Sequence, residues 1–149
     1  MLRRELALRI VLQNLLLIAS LCLFSAFAIV VGLRPDTAWI VCVAHGMVGL
    51  AAALQWCHHG IRTKQIKDYL LTLTLPDDSS WERWLPNNRP RTLLGSRWMI
   101  STKGVFIGLQ AGMVAIAGMV RGFEHPVPFV LSVALVLATA GFLFTNPKE

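Results

Sequence analysis

The residues of this chain best suited to moving protons or to holding a metal or cofactor are four histidines and three cysteines: His45, His58, His59 and His125, with Cys22, Cys42 and Cys57. His45 lies about two helical turns inside an uncharged stretch running from Thr37 to Cys57. An ionisable side chain at that depth in oil faces protein or water, not lipid. The bland expectation is a neutral imidazole hydrogen-bonded across a helix bundle to Ser20, Ser25 or Gln110. The alternative is proton transfer or ligand contact in a conduction path.

Cys57-His58-His59 has residue types that bind zinc, but successive helical residues point about 100° apart, and zinc wants three or four converging ligands. His58 and His59 are therefore weak metal candidates, and no cofactor is expected. A b-type haem needs axial ligands that face one another, and His45 is the only histidine inside an apolar stretch. The three cysteines are odd in number and lie in or beside apolar runs, where they read as small hydrophobes.

Two other patterns carry physical meaning. Gly104, Gly108 and Gly112 recur every fourth residue and are joined by Ala111, Ala115 and Gly118, a stripe of small residues along one helix. Lipid supplies no hydrophobic drive between helices, so close backbone approach over glycine becomes a main source of association. The stripe is expected to be a packing face toward the same chain or a neighbouring one, with Gly46, Gly49 and Ala51 to Ala53, or Ala138, Ala140 and Gly141, as possible partner surfaces. Gln13, Asn14, Gln55 and Lys103 share one depth near the cytoplasmic interface. They are expected to form a polar layer, through interhelical hydrogen bonds or as the inner mouth of a path. No Ser/His/Asp arrangement, phosphate-cradling loop or metalloprotease signature is present.

The elements that must position these residues follow from composition. The chain has 149 residues, 55% hydrophobic and only 15% charged, and its mean hydropathy of +0.59 is too apolar for a soluble core with a water-compatible surface. Ile10 to Leu33 makes a helix of roughly 36 Å, longer than a hydrocarbon core of about 30 Å. Arg3, Arg4 and Ala26-Phe27-Ala28 imitate a signal peptide, yet the apolar stretch exceeds the usual length of about 7 to 15 residues. Four spans are expected, at 10–33, 37–57, 98–120 and 127–146, paired as two antiparallel hairpins in one all-α membrane domain. Trp39 and Trp56 flank the second span as an interfacial belt would.

Residues 58–97 form the one long polar stretch and are expected to be a cytoplasmic loop. Ile61 to Leu75 reads as an amphipathic extension of the second helix. Ser79-Ser80-Trp81-Glu82 has the form of a capping box opening a short interfacial helix, with Trp81 and Trp84 against the membrane. Lysine and arginine concentrate in the N-terminal tail and in this loop, so both termini are expected inside. Arg89, Arg91 and Arg97 are placed to meet anionic lipid headgroups or a cytosolic protein partner. The net charge of +6 thus reads as topology, and nucleic acid is an improbable partner.

The leading expectation is a non-enzymatic membrane protein of the cytoplasmic (inner) membrane, if bacterial, that acts by helix–helix association in a homo-oligomer or larger complex. An oligomeric channel or proton-linked transporter using His45 comes second. A cofactor-binding membrane enzyme or electron-transfer subunit comes third.

Overall fold

The computed structural model describes residues 2–73, 102–122 and 125–145. Four α-helices make up nearly all of these, and no strand occurs among the described residues: α1 is Leu2–Leu33, α2 is Ala38–Leu73, α3 is Thr102–Arg121 and α4 is Pro126–Thr145. All four are long and apolar enough to cross a membrane.

Local sequence explains where the helices end. From Leu2 to Val31 no glycine or proline interrupts α1, so the helix takes in Arg4 and Arg9 and is continuous from the basic tail into the apolar stretch. Within that tail Arg9 pairs with Glu5 one turn back at 2.7 Å. Arg34 leaves the helix with φ −134° and ψ 76°, outside the α region that a following proline disfavours. A 3-10 turn, Pro35–Thr37, follows, with the Thr37 hydroxyl donating to the Arg34 carbonyl at 2.9 Å. α2 begins at once and does not stop at Cys57. It continues to Leu73, which makes it roughly 54 Å long, well beyond what a hydrocarbon core of about 30 Å requires. α3 closes at Gly122, whose φ of +64° suits glycine and lets its N–H donate to the Gly118 carbonyl at 2.8 Å. Pro126 and Pro128 occupy the first turn of α4, where a missing donor costs little. The expected short helix around Trp81 and Trp84, and the start of the third span at 98–101, lie outside the described residues.

α2 is the central element and packs against α1, α3 and α4; α3 also touches α1 and α4. Two apolar layers hold the bundle. One joins Val31, Ala38, Trp39, Cys42, Met113 and Ala117, with Trp39 edge-on to the Phe129 ring at 5.8 Å. The other joins Ala53, Cys57, Phe106 and Leu143, with Trp56 tilted against Phe106. Trp39 thus packs inside the bundle, and Trp56 is half-buried against it.

Outside, the distribution is the reverse of a water-soluble protein. Leu33, Ile40, Met119, Val127, Leu137 and Phe144 are exposed, while Ser20, His45, Gln110, Ser132 and Thr139 are buried. Greasy side chains outward and small or polar ones inward is the arrangement expected when the surrounding solvent is lipid. The chain is a membrane-embedded helical protein.

Candidate intramembrane polar site and glycine face

Between the two apolar layers lies a polar one. His45 is 4% exposed and Gln110 2% exposed, and both line a small cavity of about 10 Å³ together with Ser20, Val48, Gly49 and Phe106. Three helices contribute: Ser20 from α1, His45 and Gly49 from α2, Gln110 from α3. The imidazole is wedged between two phenylalanine rings of α1, with Phe24 at 5.8 Å and Phe27 at 5.7 Å, both edge-to-face.

The hydrogen bonds differ from the sequence expectation in an instructive way. The hydroxyls expected to meet His45 bond instead to their own helix: Ser20 donates to Leu16 O at 2.8 Å and Ser25 to Leu21 O at 3.0 Å. Such a bond back to the carbonyl one turn earlier is always within reach of a helical serine, so it wins without any tertiary geometry. Gln110 Nε2 donates to the Gly46 carbonyl in a long contact of 3.5 Å. His45 Nδ1 and Gln110 Oε1 are buried with no hydrogen-bond partner among the described residues.

Gln110 depends on glycine. A methyl group at Gly49 would run into the Gln110 carboxamide and approach its Cδ and Cγ to 3.1 Å. A helical carbonyl points toward the residues one turn on, so Gly49 both makes room for the amide and uncovers the Gly46 oxygen for a second bond. The same device recurs about three turns further along α2. Gln13 of α1 donates to the Trp56 carbonyl at 3.2 Å, and a methyl at Gly60 would lie 3.1 Å from its Nε2. Two glutamines thus lock two different helices onto α2, each over a glycine three or four residues past the accepting carbonyl.

Of the other residues expected in a polar layer with Gln13, Asn14 and Gln55 are exposed and Lys103 is half-buried; among the described residues Gln13 alone of the four is bonded across helices. His58 is exposed and His59 half-buried, their rings edge-to-face at 5.9 Å. No three His, Cys, Asp or Glu side chains gather as a metal site among the described residues. Arg89, Arg91, Arg97, Trp81 and Trp84 lie outside the described residues.

The small-residue stripe of α3 divides. Gly118 is buried and Gly112 half-buried, with the Phe24 ring in ordinary contact of a would-be methyl at 3.5 Å. Gly104, Gly108, Ala111 and Ala115 are exposed, and among the described residues nothing lies within 4 Å of where a methyl would stand at Gly104 or Gly108. The face α3 does bury carries Phe106, Gln110, Met113 and Ala117. At 100° per residue the centres of these two faces are roughly 160° apart. Gly49 of α2 therefore meets α3 through Gln110, on the side away from the exposed glycines. The roles of Gly49 and Gly60 carry no sequence signal beyond the residue type, because the glutamine above each comes from another helix.

No protein family, no curated protein and no solved structure matches this chain.

Proposed function

We propose that this is a non-enzymatic small polytopic membrane protein whose activity is helix–helix association, as a self-assembling effector or as a subunit or scaffold of a membrane complex. The observation that carries this reading is the face of Gly104, Gly108, Ala111 and Ala115, which is exposed and turned away from the other described helices. A glycine face in lipid gains by close backbone contact with another helix, and lipid tails cannot follow its groove as closely. Gly108→Leu fills the groove without touching the intrachain core. Particle mass in mild detergent is expected to fall from an assembly to a single chain, with an apparent affinity loss of at least tenfold, equivalent to about 1.4 kcal/mol. An unchanged mass for Gly108→Leu, or a wild-type protein that is already a single chain in lipid as well as detergent, would contradict it.

In this reading α1–α2 and α3–α4 are two antiparallel hairpins with both termini cytoplasmic. Support for the pairing of helices comes from Arg121, at the close of α3, which pairs with Asp36 of the first turn at 3.2 Å, and from Gln13 of α1, which bonds to Trp56 within α2. Arg89, Arg91 and Arg97 would then face the inner leaflet and its anionic headgroups, or a cytosolic partner. In a bacterium the host would be the inner membrane.

The buried His45 beside a cavity favours one second reading, an oligomeric channel or proton-linked transporter. Proton or ion flux into liposomes that changes with His45→Ala would support it, and vesicles that stay tight under every gradient would remove it.

A further inference from the structure

We propose that the cavity between His45 and Gln110 binds one water molecule within the hydrocarbon layer, held by the Gln110 Oε1 and the His45 Nδ1 and so bridging α2 to α3. The proposal is independent of how the chain associates with others.

The donor and acceptor inventory leads to it. Gln110 Nε2 is committed to the Gly46 carbonyl. Turning the amide over would set its oxygen against that carbonyl, acceptor to acceptor, so the assignment of oxygen and nitrogen is fixed by chemistry. Oε1 is therefore an acceptor that needs a donor. His45 Nδ1 could serve directly only in the tautomer that protonates it, yet the two groups are not bonded to one another. Ser20, on the same cavity, has already given its hydrogen to Leu16 O. No other lining side chain offers a donor: Leu23, Val48, Phe106 and Leu109 are apolar.

A water satisfies both groups in either imidazole tautomer. It donates one hydrogen to Gln110 Oε1, then either donates the other to an unprotonated Nδ1 or accepts from a protonated one. Size fixes the ligand class as firmly as polarity does. The cavity of about 10 Å³ matches the smallest space that admits one water, about 10–15 Å³. Buried waters are found where two or more otherwise unsatisfied polar groups converge, whereas purely apolar cavities stay dry. Two unpaired atoms belong to side chains more than nine-tenths buried, and both side chains line this one cavity. Gly49 keeps the site open by leaving the amide its place.

The test uses the full chain in lipid nanodiscs with ¹⁵N-labelled histidine, the His45 signals being assigned by their loss in His45→Gln. Transfer of magnetisation from water to the ring is then recorded. The expected result is a water cross-peak at His45 that falls at least tenfold in Gln110→Met, which keeps the volume and removes the acceptor, while the cross-peaks of exposed His58 remain. A wild-type His45 with no water cross-peak, in a spectrum where His58 shows one, overturns the proposal. So does a His45 cross-peak of undiminished strength in Gln110→Met. Should that variant lose its helicity, the wild-type spectrum still decides between a wet site and a dry one.

Discussion

A carboxamide placed in oil is stable only when its donors and acceptors are matched, and both glutamines that reach α2 meet part of that demand by lying over a glycine. The arrangement makes an ordered expectation about glycine replacement. Gly49→Ala must displace the whole Gln110 side chain and with it the bond to Gly46 O, leaving buried polar groups unmatched, at a cost of about 1–3 kcal/mol. Gly46→Ala meets the tip of Leu135 at 2.9 Å and its Cβ at 3.3 Å, a flexible apolar side chain that loses no hydrogen bond by moving. It is expected to cost less than half as much. Unfolding in mixed detergent titrations checks this, and equal losses for the two variants would contradict the account. The sequence offers Ser20, Ser25 and Gln110 as alternative partners for His45, because polar side chains deep in an apolar stretch turn toward protein. That Gln110 and Ser20 share its cavity, without a bond to it, is read only from the structure. What the sequence also left unread was the glycine beneath each amide. A glycine in an apolar helix looks the same whether it faces a ring, an amide or lipid, and only the register between two helices distinguishes them.

At the scale of the element, α3 has two distinct faces, one of mixed size and buried, one small and exposed among the described residues. The stripe itself follows from spacing alone, while its direction does not, since glycine and alanine are equally at home against a sister helix and against a second chain. Hydropathy likewise marks the parts of α1 and α2 that oil can hold but not where the helices stop. Backbone hydrogen bonding is indifferent to side-chain polarity, so α1 extends back to Leu2 and α2 onward to Leu73 through residues too charged for lipid. Because α2 carries on past Cys57, the polar stretch 58–97 begins as helix, as far as Leu73. The proposed orientation puts the basic residues of that stretch inside, so a reporter fused after Leu85 is expected to be active in the cytoplasm. Activity only on the outer side would reverse the orientation.

For the whole molecule, the balance of forces is set by the solvent. A bundle whose outer surface is leucine, isoleucine, valine and phenylalanine gains nothing from hiding them in lipid, so its cohesion rests on close packing around α2, on the two glutamine locks and on the aromatic contacts of His45, Trp39 and Trp56. α1 is the least buried of the four helices, which leaves it, with the open face of α3, as surface for lipid or for another protein. The central claim is that protein covers the glycine face in the membrane. It is tested most directly by placing a photoreactive side chain at Gly108, with Leu137 on the exposed side of α4 as the control, and illuminating intact membranes. The account expects position 108 to cross-link to another polypeptide, a second copy or a partner subunit, and position 137 to label lipid alone. Lipid adducts alone at both positions would contradict it.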